Sequence, residues 1–153
     1  MRNILLIMGI AVLLITGCVS APSKRVNGYS ASAGDKAAAT ALTMIGRPYQ
    51  FKGETPGGFD CSGLVRYSYL TAGMDLPHGT KALLNSTRSV GLRNARKGDL
   101  LFFNQEGKKY SHVGIYVGDD QFVHAPSTGG FVRRDSITDD YWKKHYLDTR
   151  RFP

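Results

Sequence analysis

The run Phe59-Asp60-Cys61-Ser62-Gly63-Leu64-Val65 constrains this chain more than any other stretch. It follows Thr55-Pro56-Gly57-Gly58, which reads as a loop, and it opens an apolar-periodic segment. Cys61, Leu64, Val65, Tyr69 and Ala72 recur at helical spacing, which predicts a helix with Asp60 as N-cap, running through Tyr69 or Leu70 and closed by Gly73. Cys61 then sits in the first turn, where free N–H groups and the helix dipole favour a thiolate. The plainer reading is a buried, inert thiol that continues the apolar stripe. Asp60 and the preceding glycines argue instead for the open end of the helix and for a nucleophile.

The chain has one other cysteine, Cys18, and its surroundings give it a different use. Arg2 precedes an apolar run from Ile4 to Ile15, interrupted only by Gly9. At about 1.5 Å per residue this run is too short for a hydrocarbon core of about 30 Å. A charged start, a short apolar core and small residues before a boundary predict an export leader over residues 1–17. The boundary Ile15-Thr16-Gly17-Cys18 resembles the bacterial lipoprotein signal, which implies that Cys18 carries lipid and begins the mature chain. An ordinary signal peptide, or an uncleaved anchor, is the alternative. A Cys18–Cys61 disulfide, expected of two cysteines in an exported protein, is excluded if Cys18 is lipidated. Residues 18–34 are rich in Ser, Ala and Gly and read as a tether. Residues 35–153 suffice for one domain with one core.

The formal net charge is +8. Such a balance suits nucleic acid, anionic surfaces or acidic polymers. The basic residues are scattered, no base-stacking motif lies between them, and export argues against a nucleic-acid partner. A solvated basic surface is the reading for most of them.

Asp35 is expected to cap a helix over Lys36–Ile45, with Ala38, Leu42 and Ile45 inward, ended by Gly46-Arg47-Pro48. Tyr49-Gln50-Phe51 reads as extended, and a short helix is expected over Thr80–Ser86. The period then changes. Asp99–Phe103, His112–Val117, Gln121–His124, Phe131–Arg134 and Leu147–Phe152 read as strands, with Gly118-Asp119-Asp120 as a hairpin turn and a helical turn at Trp142–His145. Helices first and an antiparallel sheet afterwards predict an α+β fold.

A nucleophilic cysteine needs a base and a group to orient that base. His112 and His124 flank the predicted turn at similar distances, so a simple hairpin makes them near cross-strand neighbours. Their spacing establishes proximity but not which histidine does which job. Taken singly, each is an ordinary structural histidine, as His78 and His145 are taken to be. Zinc held by Cys61, His112 and His124 is disfavoured, because no short-spaced ligand pair of the zinc type is present.

The segments Gly46-Arg47-Pro48-Tyr49, Gly58 to Val65, Gly98 to Phe103, Ser111 to Gly118 and Phe122-Val123-His124-Ala125, in this order and spacing, resemble the NlpC-type bacterial cell-wall peptidases, a papain-like cysteine peptidase group. The resemblance spans roughly residues 37–152. It implies a papain-like fold, with helices carrying the nucleophile at a helix start packed on an antiparallel sheet. It also implies Cys61 as nucleophile, His112 as base and His124 as third polar residue. Tyr49 falls at the oxyanion site, and Asp60 and Ser62 line the acyl-side substrate pocket. The implied reaction is hydrolysis of amide bonds in peptidoglycan stem peptides or cross-links, without a cofactor, by a monomer lipid-anchored in the envelope. Val19 after the lipid cysteine favours the outer membrane facing the periplasm. His78-Gly79 departs from the family pattern, which usually has Arg after Leu-Pro, and this bears on substrate preference. A silent wall-binding lipoprotein, or an amidase or transferase with the same triad, are the competing readings.

Overall fold

The computed structural model describes residues 32–153 apart from Glu106 and Gly129, so Cys18, the leader and nearly all of the tether lie outside the described residues. Helix α1 spans Ala33–Thr43. Its cap is Ser32, not Asp35; Asp35 sits three residues on and completes a capping box with Ser32, so the helix starts one turn earlier than expected. Its inward face is Ala37, Ala38 and Ala41, while Leu42 and Ile45 are exposed. Alanine at those positions lets α1 lie close to its neighbour, and the larger side chains are turned out.

The Thr55–Gly58 segment is not a plain loop. It turns a small hairpin between β1 (Glu54–Thr55) and β2 (Gly58–Phe59). Tyr49 joins this unit through a parallel bridge to Phe59. Helix α2 follows directly as Cys61–Thr71, capped by Asp60 as expected. α2 seats deeply against the hairpin: a Cβ on Gly63 would stand 1.9 Å from the Gly53 carbonyl oxygen. Only glycine permits that approach, and it fixes where the first turn of α2 ends up. Helix α3 is Thr80–Asn85.

The remainder is a six-stranded sheet formed by β3 (Arg88–Ser89), β4 (Leu100–Gln105), β5 (Lys108–Gly118), β6 (Gln121–His124), β7 (Arg133–Ser136) and β8 (Tyr146–Arg151), in the order β3-β8-β4-β5-β6-β7. Every pairing is antiparallel. A 3₁₀ turn at Leu92–Asn94 and helix α4 (Asp140–His145) complete it. The α+β architecture is therefore the expected one, with strands lengthened by a residue or more at β4 and β5.

Alternation along the strands divides the core in two. Leu100, Phe102, Val113, Ile115 and Val123 face α1 and α2. Leu101, Phe103 and Phe122 face the other way, onto Trp142 of α4 and Ile137. Among the described residues no helix is long and apolar enough to cross a membrane.

The β5–β6 hairpin is not the simple one the spacing suggests. Asp119 and Asp120 both have positive φ, as a two-residue type I′ turn requires. Gly118 pairs with Gln121, but Tyr116 pairs with Phe122 and Ile115 with Val123, so Val117 is an extra residue, a β-bulge. In the unbulged register His124 would face Ile115, which puts the two histidines on opposite faces. The bulge shifts the register by one, so His124 falls level with Gly114 and His112 lies two residues along on the same face.

Replacement of Gly63 by Ala should lower stability by about 1–3 kcal/mol, the usual range for forced overpacking. Urea unfolding measures it; an unchanged midpoint would mean that α2 is not pressed onto the Gly53 carbonyl.

Candidate active site

The parts of the site arrive from different element ends. The first turn of α2 carries Cys61, which lines a cleft of about 110 Å³ with Tyr49, Gln105, Ser111, His112 and Ser127. Cys61 is a free cysteine. Burial pushes its thiol up to about 11, the Asp60 carboxylate adds to this, and backbone N–H groups of Val113, Ser62 and Cys61 pull the other way. The effect anticipated from the helix start therefore has the expected sign but loses to burial. The thiolate has to be made with the help of a base.

His112, the residue expected to act as that base, is held in orientation. His112 Nε2 lies 2.8 Å from His124 Nδ1, and His124 Nε2 lies 3.0 Å from Asp135 Oδ2. Arg133 Nε and Trp142 Nε1 donate to the same Asp135 oxygen, each at 3.0 Å. Both histidines are buried. Burial first, then the nearby His124 and Arg133, hold His112 well below its ordinary range, against a smaller pull from Asp135. Burial lowers His124 too, opposed by its bond to Asp135. For Asp135 burial acts upward, but the bonds from His124 and Arg133 outweigh it and settle the carboxyl at about 2.

These directions assign the protons. Asp135 is an ionised acceptor, so His124 carries its proton on Nε2 and accepts at Nδ1. His112 then carries its proton on Nε2, which leaves its Nδ1 lone pair as the free base of the cleft. Chemically, the arrangement can remove a proton from a thiol beside it and return that proton to a departing group.

Tyr49 stands where its hydroxyl can act on the same space. Its N–H bonds the Gly130 carbonyl at 2.6 Å, and burial, then Cys61 and Asp60, raise the pKa of its phenol and keep it a donor. Asp60 and Ser62 do not line the cleft. The Asp60 carboxylate accepts from the Gly63 N–H at 2.7 Å and from Ser62 Oγ at 2.9 Å, and His78 Nε2 lies 3.0 Å from both of its oxygens. The unusual His78 thus ties the segment before α3 to the cap of α2. Arg66 bonds Glu54 and Asp75 and the Leu76 carbonyl, which holds that segment from its other side. His145 bonds the Tyr141 carbonyl and stacks on the Tyr141 ring, away from the cleft.

Asp135, Arg133 and Trp142 were not legible as site residues. The expected strand Phe131–Arg134 stops one residue short of Asp135, and the strand in fact runs from Arg133 to Ser136. Strand pairing sets Asp135 beside Phe122 and Arg133 beside His124, on the face that holds both histidines. Among the described residues no group of three His, Cys, Asp or Glu side chains is placed to hold a metal ion.

Comparison with known proteins extends this geometry. Residues 46–151 match the model of the NlpC/P60 family. The chain is 36% identical over 115 residues to murein DD-endopeptidase MepH of Escherichia coli K12, covering 72% of this chain and 42% of that protein. It is 37% identical over 129 residues to the probable endopeptidase NlpC homolog of Haemophilus influenzae, covering 83% of this chain and 68% of that one. The solved NlpC/p60 domain of the peptidoglycan hydrolase SagA superposes with a TM-score of 0.64 at 36% identity, over 76% of this chain and 96% of that one. The match covers somewhat less than half the length of MepH.

The depressed pKa of Asp135 contributes stability that is present above the usual carboxyl range and lost as pH falls from about 4 towards about 2. Asp135→Asn should therefore be less stable than the parent at pH 6, by up to ~2 kcal/mol, with the gap closing towards pH 2.5. Urea unfolding of both proteins across that range checks it; a gap independent of pH would show that Asp135 is not held as an ionised acceptor.

Proposed function

Because the chain belongs to the NlpC/P60 family, we propose that it is a peptidoglycan endopeptidase that hydrolyses amide bonds of murein stem peptides or cross-links through Cys61, His112 and His124. The observation that carries this reading is the directed hydrogen-bond chain from Asp135 through His124 to His112, which ends with a free ring nitrogen in the cleft that Cys61 lines. A wall-binding module has no use for a buried, proton-ordered relay beside a thiol. The relative's name, murein DD-endopeptidase, agrees with this class of substrate.

In the proposed reaction His112 Nδ1 takes the Cys61 proton as sulfur adds to the amide carbonyl carbon. The oxyanion is met by the Cys61 N–H and the Tyr49 hydroxyl; such donors are worth ~3–4 kcal/mol in other acyl-transfer enzymes. The imidazolium then protonates the leaving nitrogen, the C–N bond breaks, and a thioester remains. Water activated by His112 adds to that thioester, and the Cys61 thiol is restored. His124 and Asp135 hold the His112 tautomer throughout and stabilise the imidazolium. Burial keeps both histidine rings uncharged at rest, so positive charge appears on them only while the oxyanion carries the negative charge.

The leader at 1–17, the lipid on Cys18 and the 18–34 tether complete the proposal. Together they hang a monomeric peptidase from the outer membrane, facing the periplasm.

Purified residues 19–153 should release stem-peptide fragments from murein, and Cys61→Ala should reduce release by at least ~10³-fold. Mass spectrometry of the fragments identifies the bond. Murein retained on the intact protein with no fragment released would replace the peptidase reading with that of a binding module. Globomycin should cause the unprocessed precursor to accumulate in cells; unchanged processing would remove the lipid anchor.

A further inference from the structure

A second cavity, of about 460 Å³, adjoins the cleft. Gln105 and Ser127 line both spaces, so the two are neighbours. The rest of its wall is dominated by Arg133, Tyr141 and Trp142. The volume is that of a small-ligand site. No acidic side chain among the described residues lines it.

Among the described residues Arg133 is the one charged group in the wall, and it is held in a particular way. Its Nε donates to Asp135 Oδ2, which pins the guanidinium plane. Among the described residues neither Nη donates a hydrogen bond within the protein, and the side chain is 48% exposed. A pinned guanidinium with both Nη groups open to a cavity is complementary to a carboxylate, which it can bind in a fork. Tyr141, half-exposed, offers an aromatic wall for the aliphatic part of such a ligand, and its hydroxyl is bonded to Gln105 Nε2 at 3.4 Å.

The side of the cleft follows from Trp142. Its indole forms part of the cavity wall and stacks on His112, with ring centroids 5.8 Å apart and planes 21° from parallel. His112 thus lines the cleft together with Cys61 and stacks on the indole of the cavity wall, which puts the cavity on the histidine's side of the cleft. We propose that this cavity is a subsite for a carboxylate on the leaving-amine side of the substrate, with Arg133 as its ligand. The inference rests on the peptidase reading above for the terms leaving side and substrate. The occupant's chemistry is an amino acid whose carboxylate sits close to the scissile nitrogen. Arg133 is also one of the charges that hold His112 down in the free protein, so a carboxylate on the guanidinium offsets that charge and makes the base stronger when substrate is in place.

The test uses residues 19–153 carrying Cys61→Ala and two forms of the peptide L-Ala-γ-D-Glu-meso-diaminopimelate. In one form the carboxylate on the carbon bearing the scissile nitrogen is free; in the other it is a primary amide. NMR titration should give at least tenfold tighter binding of the acid, with shifts at the Arg133 Nε–H and the Trp142 Nε1–H. Arg133→Gln should bring the acid down to the affinity of the amide. Equal affinities for the two forms with Arg133 intact, or saturation by neither at millimolar concentration, would overturn the subsite, and neither result depends on how well Arg133→Gln folds. Retained preference in a folded Arg133→Gln would overturn it too. Turnover of the same peptides by the Cys61 protein separates this inference from the one beneath it. Preference in binding without cleavage keeps the subsite and confines the peptidase reading to cross-links, whereas cleavage of both forms with equal kcat/KM sinks the subsite and keeps the peptidase.

Discussion

One extra residue in a hairpin decides whether this chain has a site. Val117 bulges out of β5, and through that single shift His112 and His124 share a face of the sheet. Everything on that face follows from it. His112 and His124 come within 2.8 Å, Asp135 reaches His124 from β7, and Trp142 closes over both rings from α4. Side chains alternate with period two, so no partial version of the arrangement exists: a register differing by one residue sends one histidine into the helix-facing core.

The second dependence is electrostatic. Two histidines are buried in an aromatic setting of Phe103, Phe122 and Trp142, which penalises charge on either ring. Among the described residues the charges paired at the end of the relay are Asp135 and Arg133, of opposite sign. What remains is direction rather than net charge. The carboxylate orders protons along the chain, and the order ends at His112 Nδ1. Cys61 is raised by the same burial, so neither partner ionises readily by itself, and in the proposed reaction the proton passes between them when substrate arrives. The steep seat of α2 on the Gly53 carbonyl matters for the same reason, because it sets the position of the sulfur relative to a base that cannot move.

Much of this was legible. The capping role of Asp60, the α2 boundaries to within a residue or two, the β6 span and the α+β class all follow from local periodicity and turn chemistry, which need no knowledge of the rest of the chain. The failures share a cause. Leu42 and Ile45 read as an inward face because they are large and apolar, but the neighbouring helix comes too close for anything except Ala37, Ala38 and Ala41. Residues Thr55–Gly58 read as loop because they carry Pro and Gly, yet two-residue strands pair across them. The His78 contact to the Asp60 carboxylate, which Ser62 also bonds, spans eighteen residues and had no local signal. Asp135 left no mark, since a lone aspartate on a short polar strand is commonplace.

The sequence by itself determined the chemistry on offer: a single thiol at a helix start, two histidines around a turn, and the order of helices and strands that carries them. These are properties of residue type and short-range spacing, and both survive without tertiary contacts. Only the tertiary structure decided which face the histidines share, which carboxylate orders their protons, that Arg133 is left with open Nη groups beside the cleft, and that burial overrides the helix start in setting the thiol. Each of those depends on register, burial or distance between segments far apart in the chain. A change of one residue in pairing, or a few ångströms in packing, reverses them without altering any local signal.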